Sequence, residues 1–336
     1  MKNILVIGGS GILGRPLIER LADQDDTSVF SVALNSVTTA NSRIQQLCLD
    51  RNTSDFSQSI REITAQIGRW NCIVDLCAFD ELQSKNLHEI LGKHCDHWII
   101  LSTTLVYDRS HPNSQPISEM TPLAHPGKYG GYVDGKLAIE RFWQSQNQAS
   151  WTILRPYHII GSGSLLGCVP LHNRDPWLLD RIRSGESLQL TEGGQGRFSY
   201  VNLVDVAAAV QAVMAIPRCF GQAYNLVHSK PISPLEYYKE IARQLGSNIK
   251  VIPVRLEKIW ANKMGWEMTT LPHVYSADKL FSEVGFNPSV SLDQCISEAI
   301  ANYPVPMDID VLPVHQRMNK GSSPVPPRWL LEQSRA

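Results

Sequence analysis

A chain of 336 residues with a formal net charge of −1 shows no lysine- or arginine-rich block of the kind that usually marks a nucleic-acid surface. Its 43% hydrophobic content is enough for a large core spread over two lobes, and no apolar run is long enough to cross a bilayer. The seven cysteines are scattered without a C-x-x-C pair, and the N-terminus enters an apolar run with no signal-peptide pattern, so a reducing, cytoplasmic setting is expected.

Ile4, Leu5, Val6 and Ile7 form a short apolar run bounded by glycines, as a strand buried on both faces does. Glycines follow at Gly8, Gly11 and Gly14, with Gly9 as an extra. Pro16, Leu17, Ile18 and Leu21 then trace an apolar helical stripe. Strand, glycine turn and helix in that order bring backbone N–H groups and the positive end of a helix dipole against a phosphate. The spacing is G-x-x-G-x-x-G, not the G-x-G-x-x-G of the simpler dinucleotide fingerprint.

Residues 28–34 predict a second strand that ends at Asn35, before a polar stretch over 36–42. An apolar segment over 44–49 ends in Asp50. Helical spacing over 56–67 is followed by a buried strand at 72–78, a helix at 82–91, and a strand at 98–101 that runs into Ser102, Thr103 and Thr104. This alternation predicts an α/β fold of the Rossmann-like kind, a doubly wound parallel sheet with helices on both faces. Ligands of such sheets lie beyond the carboxyl ends of the strands. Gly8, Asn35, Asp50, Cys77 and Thr103 all fall at or just after such ends. His94, Cys95, Asp96 and His97 resemble a metal cluster only at first sight. Neighbours leading into a strand point to opposite faces, so they read as a surface loop and no metal is expected.

Residues 108–131 read as a loop, 132–145 as a helix and 151–155 as a strand. Beyond Pro156 the pattern loosens, with a short helix near 177–184, strands at 198–204 and 223–227 around a helix at 206–215, and a helix at 234–245. The expected organisation is a dinucleotide-binding lobe over 1–155, rejoined by 198–227, and a smaller C-terminal α/β substrate lobe over 156–197 and 228–315. Proline-rich residues 316–336 are expected to form an extended tail.

Tyr132 and Lys136 are four apart and share one face of the 132–145 helix. A phenol with a pKa of ~10 is a poor base at neutral pH, and a neighbouring ammonium favours its phenolate. Such a pair can exchange a proton with a substrate hydroxyl or carbonyl while hydride moves to or from a nicotinamide. Thr103, or Ser102 beside it, supplies a hydroxyl at a strand end to hold the substrate oxygen.

The ordered set G-x-x-G-x-x-G, S-T-T-x-x-V-Y and Y-x-x-x-K resembles the extended short-chain dehydrogenase/reductases, also called the NAD-dependent epimerase/dehydratase family. Similar stretches continue through LRPYHIIGSG (154–163), FSYVNLVDVAAAV (198–210) and AYNLVHSKPISPLEY (223–237), so the likeness covers residues 1–245. The resemblance implies that Gly8, Gly11 and Gly14, with Ser10, Ile12 and Leu13, form the pyrophosphate turn. It implies that Asp50 meets the adenine amino group, that Cys77 and Ala78 line the cofactor, and that Pro156 flanks the nicotinamide. Thr103 and Tyr132 become catalytic, and Lys136 both binds the nicotinamide ribose and tunes Tyr132. A homodimer and a small-molecule or nucleotide-sugar substrate are implied as well.

Three positions depart from the family pattern. Asn35 stands where NAD-preferring members carry an acid, and without a carboxylate a 2′-phosphate meets less penalty, which leans the cofactor to NADP over NAD; Arg43 is the nearest cation in sequence. His158 replaces the Asn of R-P-x-N, and Arg197 lies one position early for a diphosphate-binding arginine, with Phe198 in its place. Ser102, His158 and Arg197 are the substrate-side candidates. Net reduction and epimerisation are both open, and dehydration is disfavoured because no acid pair follows Thr103. CLDR (48–51) and VDLCAFD (74–80) are similar to the chloroplast stem-loop-binding branch. That likeness supplies the alternative of a cofactor-binding RNA- or protein-interaction protein, against which the near-neutral charge speaks.

Overall fold

The computed structural model describes residues 1–109, 116–167, 175–261 and 273–304. Its centre is β1 (Lys2–Ile7), in which alternate residues enter different cores. Ile4 and Val6 join one hydrophobic cluster, while Leu5 and Ile7 join the other. That two-sided burial is why the run is continuously apolar rather than alternating.

The chain then alternates as α1 (Gly14–Ala22), β2 (Thr27–Ala33), β3 (Ile44–Cys48), α2 (Ser54–Ile67), β4 (Cys72–Asp75), α3 (Glu81–Leu91), β5 (Trp98–Leu101), α4 (Gly131–Gln144) and β6 (Trp151–Pro156). Further on come β7 (Ile159–Ile160), α5 (Leu178–Arg183), β8 (Ser187–Thr191), β9 (Val201–Asn202), α6 (Leu203–Val213), β10 (Gln222–Leu226), α7 (Pro234–Gln244), β11 (Lys250–Val254) and α8 (Leu256–Ala261). The last two described helices are α9 (Asp278–Val284) and α10 (Leu292–Ala301).

Seven strands form one sheet in the order β10-β6-β5-β4-β1-β2-β3, and every pair in it is parallel. Leu17 and Ile18 of α1 pack with Val206 and Val210 of α6 on one face. Phe56 and Ile60 of α2, Leu87 of α3, and Ile139 and Trp143 of α4 cover the other. Each fully buried aliphatic or aromatic side chain in these layers contributes roughly 1.5–3 kcal/mol. The sheet is therefore doubly wound, and the strand order reverses between β1 and β4, where such sheets open a crevice.

A third core gathers α5, α7, α10, Leu188 and Leu190 of β8, and the aromatic residues Phe198, Tyr200, Tyr237 and Tyr238. Here β8 pairs in parallel with β11, a two-stranded sheet that the sequence reading did not anticipate. Ser233 opens α7 with a capping box to Glu236, which fixes where this helix starts.

Several boundaries differ from expectation for local reasons. The strand expected at 72–78 stops at Asp75, whose carboxylate accepts the Cys77 N–H at 3.1 Å and turns the chain. The strand expected at 198–204 shrinks to β9, because Asn202 caps α6 by accepting the Val204 N–H at 2.7 Å. The His94–His97 group is not a surface loop throughout: Cys95 and His97 are buried. His97 bonds Thr152 at 2.9 Å and accepts the Ala215 N–H at 3.2 Å, and burial holds its imidazole down at about 4. Asp96 pairs instead with Arg69. Among the described residues no group of three or more His, Cys, Asp or Glu could hold a metal ion. No helix among them is long and apolar enough to cross a membrane. The expected 316–336 tail lies outside the described residues.

Candidate active site

The glycine turn follows β1 directly. Gly8 has φ +96°, a left-handed conformation that favours glycine, and its N–H continues the sheet by donating to Val32 O at 2.8 Å. A Cβ on Gly14 would come within 2.2 Å of Gly8 O, so the first turn of α1 can press onto the loop only without a side chain. Gly11 is different. A Cβ there would meet only Gly8 O, at 3.4 Å, so the loop lies open on that side. A backbone cradle with an open middle glycine at the start of a helix fits a pyrophosphate. The later stretch reaches the same place, since a Cβ on Gly163 would touch Ile12 at 3.4 Å.

At the end of β2, Asn35 is exposed. Arg43 lies at the opposite, amino-terminal side of the sheet, just before β3. Its guanidinium donates to Ala22 O at 3.1 Å and pairs with Asp25 at 3.1 Å. Although nearest in sequence, it is therefore not a cation that meets a ligand near Asn35. Asp50 is exposed, and its carboxylate accepts both the backbone N–H and the side-chain amide of Asn52 at 2.9 and 3.0 Å.

Arg51, unremarked in the sequence, is the buried partner. Its fork grips Asp75 at 2.8 and 2.9 Å and reaches Cys77 Sγ at 3.6 Å. Burial is the largest single effect and lowers the guanidinium pKa, but the charge and hydrogen bonds of Asp75, with those of Cys77, together outweigh it and raise the pKa above its ordinary value. Cys77 is packed against the glycine turn, since a Cβ on Gly8 would meet its Sγ at 3.2 Å, and burial pushes its thiol up.

Lys136 reaches the ends of β4 and β5. Gly135, immediately before Lys136, lets α4 press on the segment after β4, where a Cβ would lie 2.1 Å from Phe79 O. Lys136 is consequently buried, and its Nζ donates to Ala78 O and Leu101 O, each at 2.8 Å. Burial lowers its pKa to about 8, with the charges of Asp75 and Cys77 opposing that fall. Tyr132, one turn earlier, is half-buried and packs on the cluster of Val106, Ala124, Val133 and Leu137. Thr103 follows β5, is 6% exposed, and its Oγ1 accepts the Leu105 N–H at 3.2 Å. That leaves the hydroxyl hydrogen free to be donated elsewhere.

Ser102 is drawn away from any substrate, because its hydroxyl donates to buried Glu140. Glu140 in turn accepts from Arg155 at 3.0 and 2.6 Å. Arg155 Nη1 donates to the Tyr107 hydroxyl at 2.7 Å, which donates to Asn225 Oδ1 at 2.8 Å. This buried chain ties β5, α4, β6 and β10 together beneath Thr103 and Lys136.

On the substrate side, Pro156 ends β6 and is buried. His158 has φ +41°, unusual for a residue with a side chain. Its ring meets Phe198 and Tyr237 edge-on, with centroids 5.3 and 5.8 Å away. Arg197 is half-exposed in the second lobe, where it donates to Pro231 O and lies 3.8 Å from Glu236. Those contacts hold it against the loop before α7.

Residues 4–226 match the family model described as NAD dependent epimerase/dehydratase family. Comparison with curated proteins found no match. Among solved structures, an epimerase from Methanothermobacter thermautotrophicus superimposes with a TM-score of 0.72 at 15% identity, covering 92% of this chain and 94% of that one. A dTDP-glucose 4,6-dehydratase from Bacillus anthracis in complex with NAD gives 0.69 at 18% identity, over 90% and 96% of the two chains. A UDP-glucuronic acid 4-epimerase from Bacillus cereus, in complex with UDP-glucuronic acid and NAD, gives 0.66 at 17% identity, over 90% and 98%. These superpositions establish a shared fold. NAD is the dinucleotide in both complexes, so the lean to NADP gains no support from them, and neither does the likeness to the chloroplast stem-loop-binding branch.

Proposed function

The chain belongs to the NAD dependent epimerase/dehydratase family, and from that premise we propose that it moves hydride at a hydroxyl- or carbonyl-bearing carbon of a nucleotide sugar, in epimerisation or net reduction. The observation that carries the reading is the buried ammonium of Lys136, held between Ala78 O and Leu101 O one helical turn from Tyr132. A buried ammonium hydrogen-bonded to two carbonyl oxygens is costly to keep. It has a use here if it stabilises a neighbouring phenolate.

The residues that would hold a dinucleotide are the Gly8–Gly14 loop at the pyrophosphate, Cys77 and Ala78 along its length, and Lys136 and Pro156 at the nicotinamide end. When bound, such a cofactor supplies the hydride acceptor or donor. Tyr132 Oη takes a proton from the substrate hydroxyl, or returns it to a carbonyl. Lys136 directs two of its three ammonium hydrogens to carbonyls, and the third can turn to a ribose hydroxyl. Its charge favours the Tyr132 phenolate. Thr103 donates its hydroxyl hydrogen to the substrate oxygen and so fixes that oxygen beside Tyr132. Pocket-wall contacts come from His158 and the aromatic rings beside it. The carboxyl pair associated with water elimination has no counterpart next to Thr103, where Thr104 and Leu105 follow, so dehydration is not part of the proposal.

The test is Tyr132→Phe assayed on UDP- and dTDP-sugars with added dinucleotide. Loss of general acid–base catalysis should lower turnover by about 10²–10⁴-fold, while dinucleotide affinity stays close to wild type. Near-normal turnover in the variant would contradict the assignment.

A further inference from the structure

Gln83 lies in the first turn of α3, and each of its polar groups is engaged. Its backbone N–H donates to Asp80 Oδ1 at 2.9 Å, the bond that caps the helix. Its carbonyl accepts Arg51 Nη2 at 3.3 Å, and its Nε2 donates to Asn52 Oδ1 at 2.9 Å. Its Oε1 accepts the Phe79 N–H at 2.9 Å. Asp80 makes the cap with main chain, so the helix starts without the Gln83 side chain. Arg51 and Asn52 hold the residue from the loop after β3, and its Oε1 is presented to the segment after β4.

That oxygen grips one half of a rigid unit. The Phe79 N–H and the Ala78 C=O belong to the same planar peptide group, and no peptide bond among the described residues is cis. The two groups therefore point to opposite sides. Gln83 Oε1 takes the N–H on one side, and Lys136 Nζ donates to the C=O at 2.8 Å on the other. A rotation of the plane that frees the N–H also swings the carbonyl off the ammonium. A hydrogen bond at the N–H polarises the carbonyl as well and makes it a better acceptor. The Phe79 ring follows the same backbone, with Lys136 Nζ 5.5 Å from its centroid. The other acceptor of Lys136, Leu101 O, belongs to β5 and is held by the sheet. Gln83 thus governs the one of the two carbonyls that a loop carries.

Resting on the dinucleotide reading above, we propose that Gln83 is a positioning residue for Lys136. Through the Ala78–Phe79 peptide it aims the Ala78 carbonyl at the ammonium. With two hydrogens fixed on carbonyls, the third keeps one direction, toward the ribose hydroxyl. Gln83 touches neither cofactor nor substrate in this role, and its whole effect passes through Lys136.

The experiment is fluorescence titration of the purified full chain with NADH or NADPH, whichever wild type binds more tightly. The variants are Gln83→Met, Gln83→Glu, Lys136→Met and the double variant of Gln83→Met with Lys136→Met. Met matches Gln in length and helix propensity but offers no oxygen, whereas Glu keeps an acceptor for the Phe79 N–H and loses the donor to Asn52. Gln83→Met should weaken binding by about threefold or more, and Gln83→Glu should stay within about twofold of wild type. Lys136→Met should weaken binding by about tenfold or more. Adding Gln83→Met to it should change affinity by less than about twofold, because the group it positions is gone. Equal loss from Gln83→Met with and without Lys136 would overturn the proposal, as would wild-type affinity in Gln83→Met or Lys136→Met, or a loss in Gln83→Glu as large as in Gln83→Met. Each of these outcomes leaves dinucleotide binding itself intact. Binding of neither dinucleotide by wild type would overturn that reading and the role of Gln83 with it.

Discussion

The glycine loop after β1 and the buried polar chain beneath β5 and β6 are opposite solutions to building a site. The loop is made of backbone. Its shape depends on the absence of side chains at Gly8 and Gly14, and its working surface over Gly11 is open. The polar chain is made of side chains, with Ser102, Glu140, Arg155, Tyr107 and Asn225 satisfying one another in the interior. The first is open to a ligand and contributes little to folding at its open position. The second touches no ligand position and holds the strand ends where Thr103 and Lys136 must stand. Lys136 belongs to both kinds, since its ammonium is buried but its partners are backbone carbonyls.

The largest effect should come from breaking the side-chain region. Glu140→Ala leaves Arg155 charged and unpaired in the core, and removing one member of a buried pair costs about 3–5 kcal/mol. Denaturant unfolding should show that loss. A change under about 1 kcal/mol would mean the chain is not structural in this sense.

A smaller effect should appear at Lys136, and its sign can be worked out. The folded pKa of about 8 lies below the ~10.4 of an unfolded lysine. Between those values the unfolded chain binds more protons, so this group adds stability as pH rises through the window. Its full cost is present below pH ~8. The stability of wild type relative to Lys136→Met should therefore increase from pH ~8 to pH ~10.4, by no more than about 3 kcal/mol. A difference that stays flat across the window would show that the ammonium is not depressed in the folded protein.

The same contrast explains what the sequence disclosed. Glycine positions at a strand-to-helix turn are legible because backbone geometry admits no substitute, and the Tyr132–Lys136 spacing is legible because both lie on one helix. The polar chain was hidden because its members are far apart, Tyr107 and Asn225 being separated by 118 positions. Arg51 and Asp75, 24 positions apart, were hidden for the same reason. Ser102 and Thr103 look equivalent as letters, but adjacent residues at a strand end diverge, and only Ser102 turns to Glu140. The displacement of Arg43 had a signal that could have been used. It precedes β3, and in a parallel sheet that places it at the amino-terminal edge, away from the ligand end. The aromatic setting of His158 depends on Phe198 and Tyr237 arriving from other segments, and no local pattern announced it.

The central claim is that the open middle of the glycine loop receives a dinucleotide. Gly11→Val tests it most directly, because a Cβ there meets only Gly8 O, at 3.4 Å, and the larger side chain extends over the open loop. The account predicts that wild type binds a reduced nicotinamide dinucleotide in a fluorescence titration, and that the variant loses that binding while its melting temperature stays close to wild type. Equal binding by the two proteins would contradict it.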